Sequence, residues 1–280
     1  MNAHLAARDV LALTSIDGKP AAAVRLWAAW QAGALTCAPV AEAPLDQPGR
    51  PARPVLAAPA DMPRRQLNGP RNHAALIHAL AHIEFNAIDL ALDAVQRFTA
   101  MPEEFHGDWL RVAAEEAHHF RLLRDHLRTL GHDYGDFPAH DGLWQMAAAT
   151  ADDALARMAL VPRLLEARGL DVTPGLRRKL AGYGDQAGAA ILDGILRDEI
   201  GHVAIGDRWF RHLCAQRDLP VEATFRALLA RPGVPAPRGP FNEAARRAAG
   251  FSHAELRALA RDYADKRLDK SSCSTRPARA

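Results

Sequence analysis

From Asn72 to Cys214 apolar residues recur at intervals of three and four, the spacing that lines one face of an α-helix. The pattern predicts four long helices, over roughly 72–99, 108–130, 144–169 and 174–215. Ahead of them, "HLAARDVLALTSI" and "AAAVRLWAAWQAG" predict two short helices. The stretch "APLDQPGRPARPVLAAPADMPRRQLNGP" breaks the rhythm, because closely spaced prolines and glycines cannot propagate a helix, and reads as an extended surface arm. Between the second and third helices, "GHDYGDFPAHDGLW" reads as a loop ordered by Tyr134, Phe137 and Trp144. After the fourth helix, "ARPGVPAPRGP" leads to "FNEAARRAAGF", a helix over His253 to Leu268, and a disordered tail "DKSSCSTRPARA". The chain is thus expected to be all-α: residues 1–71 short helices and a Pro-rich arm, 72–215 a four-helix bundle, 216–280 a helical extension with its tail.

The helices are informative where their apolar faces are interrupted. Glu84 lies on one stripe with Ile77, Leu80, Ala81, Ala87, Ile88, Ala91 and Val95. In the second helix two registers are open: Glu116 with His119 shares a stripe with Trp109, Val112, Leu123, Leu127 and Leu130, whereas Glu115 with His118 shares one with Arg111, Leu122, His126 and Thr129. Periodicity selects Glu116 and His119 as the inward pair. Glu166 follows Leu155, Ala159 and Pro162 on its stripe, and Glu199 with His202 sits among Leu192, Ile195, Leu196 and Val203. The order is Glu, Glu-x-x-His, Glu, Glu-x-x-His over four successive helices, with 32 residues between Glu84 and Glu116 and 33 between Glu166 and Glu199.

Four inward carboxylates would repel one another and be driven to protonate, whereas two divalent cations offset their charge and use both imidazoles. Carboxylates with one histidine per metal suit iron or manganese, and lack the thiolates of structural zinc. Glu115 and Asp198 each stand directly before an inward Glu-x-x-His, where an acid accepts a hydrogen bond from the free ring nitrogen of a ligand histidine or is simply solvated. A metal-free bundle with protonated core glutamates is the plainest alternative.

The stretches "HIEFNAIDLALDA", "DWLRVAAEEAHHF", "YGDFPAHDGLW", "VPRLLEARGLDVTP" and "ILRDEIGHVAIGDRWF" resemble an uncharacterised bacterial family of ferritin-like domains of unknown function, within the ferritin-like di-metal carboxylate superfamily. The chain is more distantly similar to the di-iron tRNA hydroxylase that oxidises a hypermodified adenosine. The resemblance implies a ferritin-like bundle with a long crossover between its second and third helices. It also implies that Glu84, Glu116, His119, Glu166, Glu199 and His202 are ligands of two iron, or manganese and iron, ions. The expected activity is oxidation or hydroxylation of a small molecule with O2 as co-substrate and an external electron donor, since no flavin, haem or nicotinamide motif is present. A ferroxidase that handles iron and an RNA-modifying hydroxylase are the rivals. Pro162, one turn before Glu166, is expected to bend the third helix.

Composition narrows this little further. Thirty-five basic against thirty-three acidic residues give a net charge of +2, too modest to argue for nucleic acid despite the arginines of "RPARPV" and "MPRRQLNGPR". No signal-peptide pattern opens the chain and no run of eighteen apolar residues interrupts it, so a cytoplasmic protein without membrane contact is expected. Cys37, Cys214 and Cys273 show no metal spacing and are expected to be incidental reduced thiols. His78 and His82 are expected to be hydrogen-bonded helix residues off the Glu84 face, and Asp89 and Asp93 a solvated edge. His132, His140 and His253 receive no role; Tyr183, Trp109, Trp144 and Trp209 are read as packing. Apolar arms beside a long bundle are compatible with a homodimer.

Overall fold

The computed structural model describes residues 1–58, 61–62 and 67–273, with side chains as far as residue 263. Among the described residues the chain is mostly helical and its strands are one pair of two residues each, consistent with the all-α expectation. It divides into two compact units, Met1–Ala154 with Leu176–Asp198, and Leu155–Gly175 with Glu199–Ala280.

The first unit is built on α3 (Pro70–Arg97) and α4 (Glu103–Thr129), which pack along each other, with α1 (Ala3–Leu11) and α2 (Gly18–Gln31) against the pair. Pro70 opens α3 at a position where a missing N–H is harmless. Ile77, Ile88, Leu92 and Val95 are fully buried along it, each contributing about 2 kcal/mol by leaving water. By length and composition α3 alone among the described helices could cross a membrane, yet 72% of its most apolar stretch is buried inside the fold, as in a core helix. Asn2 caps α1 by accepting from the amides of His4 and Leu5. At Gly107 a Cβ would lie 2.7 Å from the Trp30 indole nitrogen, so α2 closes on α4 where a side chain is missing.

This covering corrects one expectation. Asp89 and Asp93 are not a solvated edge but are buried, because α1, α2 and the arm lie over that face of α3. Lys19, wholly buried on α2, donates to Asp89 at 2.5 Å and to the Gly49 carbonyl at 2.6 Å. Asp93 accepts from Gln96 and Arg97. His73 on α3 and His126 on α4 both donate to Oδ2 of Asp185, whose Oδ1 accepts the Gly188 amide at the start of the next long helix.

The arm is fastened by β1 (Leu56–Ala57), which runs parallel to β2 (Ala139–His140) in the loop after α4. Tyr134 and Phe137 of that loop, and Trp144 of α5 (Gly142–Ala149), are buried as expected. The Gly135 amide donates to His78, and His82 donates to the His140 carbonyl while accepting from the Tyr134 hydroxyl, so both histidines hold the loop rather than a metal.

The expected third helix, 144–169, is interrupted between residues 150 and 153. After α5 the Thr150 hydroxyl donates back to the carbonyls of Met146 and Ala147, ending that helix before α6 (Ala154–Leu160). Nor does a break precede Pro174: α7 (Ala167–Tyr183) runs through it, and α8 (Gln186–Gln216) begins only after Gly184, whose φ of 97° turns the chain. Buried Asp171 accepts from Arg246 and the Asn242 amide, bonds that outweigh the local helix-breaking tendency.

In the second unit, α6 passes into a π-helical turn, Val161–Glu166, before α7. After α8 come α9 (Val221–Leu229), α10 (Glu243–Ala248) and α11 (His253–Cys273). Arg163, fully buried in the π turn, donates to Asp207 of α8 and Glu255 of α11, and its guanidinium lies over the rings of Phe210, Phe225 and Phe251. Helix α11 exceeds its expected end at Leu268 and includes Asp269–Cys273, so that part of the expected disordered tail is ordered; the remainder, from residue 274, lies outside the described residues.

Candidate metal centre

Glu84 of α3 and Glu116 of α4 are drawn inward by the apolar stripes that surround them, and His119 follows Glu116 by one turn on the same face. All three are buried, and each offers a ligand atom within 4.8 Å of the others. His119 Nδ1 lies 3.4 Å from Glu116 Oε2 and 3.6 Å from Glu84 Oε2. Its Nε2 lies 3.0 Å from Asp198 Oδ2 on α8. Periodicity therefore selected the right register: Glu115, the competitor, forms an i,i+4 pair with Arg111 at 2.8 Å on a more exposed face.

The electrostatics are those of an anion pair lacking sufficient counter-charge. Burial, and then the neighbouring Glu116, push the Glu84 carboxyl well above its ordinary range. Burial opposes a charge on His119, but hydrogen bonding and attraction to Glu116 and Glu84 raise it to about 11. The buried Glu84 Oε2 accepts no hydrogen bond of ordinary length among the described residues, and its ion-pair partner His119 Nδ1 stays 3.6 Å away. A buried carboxylate oxygen held only by so long a contact is costly, and a divalent cation removes that cost. The donor set, two carboxylates and an imidazole whose far nitrogen is tied to an acid, fits iron or manganese.

In the second unit the same elements recur. Glu166 is the last residue of the π-helical turn, so the helix carrying it is locally rewound where a candidate ligand leaves the backbone. Pro162 is the second residue of that turn, and its ring packs on Gly206 of α8, where a Cβ would lie 2.4 Å from it. Glu199 and His202 follow one another on α8, with Nδ1 of the fully buried His202 3.7 Å from Glu199 Oε1.

A family described as "Protein of unknown function (DUF455)" matches residues 13–257. The chain belongs to the DUF455 family. An uncharacterised protein of Haemophilus influenzae is 52% identical to it over 213 residues, covering 74% of each chain. No solved structure matches the sequence. Every candidate ligand named from the sequence falls inside the DUF455 match. Three residues that carry metal-binding chemistry were not foreseen: His4, Cys37 and His106, gathered by tertiary structure. Their separations of 33 and 69 residues contain no motif, so no local signal marks them.

Proposed function

We propose that this DUF455 protein is a ferritin-like di-metal carboxylate oxidoreductase. Its two iron, or manganese and iron, ions are held by Glu84, Glu116 and His119 from the first helical pair and by Glu166, Glu199 and His202 from the second. The observation that carries the reading is the convergence of Glu84, Glu116 and His119, all buried and offering ligand atoms within 4.8 Å of one another, with His119 Nε2 turned away to Asp198. The motif order repeated in the second half of the sequence supplies the matching set.

When bound, such a pair of reduced ions supplies O2 activation for oxidation or hydroxylation of a small substrate, with electrons from an external donor. The chain's own part is to neutralise and orient. With the ions bound, Asp198 would hold the His119 hydrogen on Nε2 and leave the Nδ1 lone pair to a metal between Glu84 and Glu116. The carboxylates, flexible in binding mode, are the groups able to follow a change in metal charge. The apolar helix faces around them keep water out.

The test is elemental analysis of the purified protein after anaerobic loading with ferrous iron, beside Glu84→Ala and Glu199→Ala. About two ions per chain in the parent, lost in part or whole in each variant, support the reading. No bound metal in the parent overturns it. Oxygen uptake then separates the two activities: consumption limited by added iron marks iron handling, whereas consumption sustained by a reductant and a substrate marks an oxygenase.

A further inference from the structure

A second metal-binding constellation lies at the other end of the α3–α4 pair from the arm-covered loop, and no motif announces it. His4 on α1 and His106 on α4 meet edge to face with ring centroids 4.5 Å apart, and both are buried. Cys37 joins them: each of the three residues offers a ligand atom within 4.8 Å of the other two. The backbone brings the cysteine there, because Asn2 and Thr36 form a short parallel bridge in which the Ala3 amide donates to the Thr36 carbonyl and the Thr36 amide to the Met1 carbonyl.

The hydrogen bonds of the two imidazoles fix their tautomers. His4 Nδ1 lies 3.0 Å from the Val95 carbonyl and His106 Nε2 lies 3.1 Å from the Met101 carbonyl. A carbonyl only accepts, so each of those nitrogens carries the hydrogen and the other nitrogen of each ring holds a lone pair. Those other nitrogens, His4 Nε2 and His106 Nδ1, are buried and have no hydrogen-bond partner among the described residues. An imidazole anchored through one N–H to a backbone carbonyl, with its opposite nitrogen bare, is the arrangement of a metal-ligating histidine. The His73–Asp185–His126 cluster is different in kind, since there the imidazoles are satisfied by a shared carboxylate.

We propose that His4, Cys37 and His106 form a mononuclear zinc site, separate from the carboxylate centre. A soft thiolate with two imidazoles is a donor set that zinc accepts and that the harder carboxylate centre lacks. On binding, the Cys37 thiol gives up its proton to solvent, zinc takes the sulfur and the two bare nitrogens, and a water completes four-coordination. The half-buried Cys37 supplies the route by which that water and the ion enter. The ion would tie α1, the segment after α2 and the start of α4 to one point, stapling the N-terminal helices to the α3–α4 pair.

The test uses the full chain, stripped of metal and reduced, and titrated with Co(II). Thiolate ligation gives an intense near-ultraviolet charge-transfer band that carboxylate and imidazole ligation does not. The expected result is a band that saturates at about one cobalt per chain, is displaced by Zn(II), is lost in Cys37→Ser and is retained in Cys214→Ser/Cys273→Ser. His106→Gln should weaken cobalt binding at least about tenfold, and Glu116→Ala should leave the band in place. Should Cys37→Ser fail to fold, the parent protein decides alone: zinc should slow alkylation of Cys37 by iodoacetamide at least about tenfold. No band in the parent, a band that survives Cys37→Ser, or an alkylation rate indifferent to zinc would each overturn the site.

Discussion

Asp198, one residue before the Glu199-x-x-His202 motif of α8, takes the outward nitrogen of His119 on α4 at 3.0 Å. The acid preceding one motif thus orients the histidine of the other. Its own side chain is 48% exposed, so it is held at the edge of the centre and contributes little to the core.

Asp198→Ala should therefore weaken metal binding without unfolding the protein. Loss of the partner that orients a ligand histidine lowers affinity by about tenfold to a hundredfold. A competition titration of ferrous iron against a chelator measures the change, with urea unfolding of the apo-protein as the control. An unchanged affinity would mean that His119 does not ligate.

Gly206 receives the Pro162 ring of the π turn that ends in Glu166. A methyl group there would meet the Pro162 ring at 2.4 Å, so Gly206→Ala must displace either α8 or the turn. The overpacking should cost about 1–3 kcal/mol, read as a lower urea midpoint, and metal content should fall with it. A full complement of metal in the variant would separate the π turn from ligand placement.

The Lys19–Asp89 pair is buried on both sides. Lys19→Met should destabilise by about 3 kcal/mol, because it leaves an uncompensated carboxylate in the core, whereas Lys19→Met/Asp89→Leu should recover most of the loss. Urea unfolding of the two variants and the parent checks the difference. Equal destabilisation in both would show that packing, not charge, is what the pair contributes.

His82 links stability to acid. Burial, against a smaller opposing effect of the His140 carbonyl, lowers it from 6.5 to about 3, so the folded protein keeps the ring neutral where the unfolded chain protonates it. Its contribution is complete above pH 6.5 and is lost as pH falls toward 3. Within that window the slope is about 1.4 kcal/mol per pH unit. The stability gap between the parent and His82→Gln should accordingly narrow from pH 7 to pH 5; a constant gap would contradict the assignment.

What the sequence made legible follows from how local each cause is. Helices α3 and α4 were expected at 72–99 and 108–130 and occur at Pro70–Arg97 and Glu103–Thr129, because one uninterrupted apolar stripe defines each. Glu84, Glu116 and His119 were visible as breaks in those stripes. The third helix was misplaced, since its real ends depend on the Thr150 hydroxyl, on Gly184 and on tertiary bonds to Asp171. Asp89 and Asp93 were misread because helical spacing cannot show that α1 and α2 close over a second face. The grouping of His4, Cys37 and His106 depends on a backbone bridge between distant segments and left no periodic trace.

Arg163 adjoins the π turn's proline, yet the groups that neutralise and enclose it come largely from beyond α8: Glu255, Phe225 and Phe251. A chain cut after Gln216 would keep every candidate carboxylate and histidine ligand, yet leave the Arg163 guanidinium with Asp207 and Phe210 alone, without Glu255, Phe225 and Phe251. Evolutionary shortening of this C-terminal third would thus be answered first by the helix that bears a ligand. Conversely, any descendant that loses α9–α11 is expected to change Arg163 and Asp207 together, since either alone would leave the other's charge in the core.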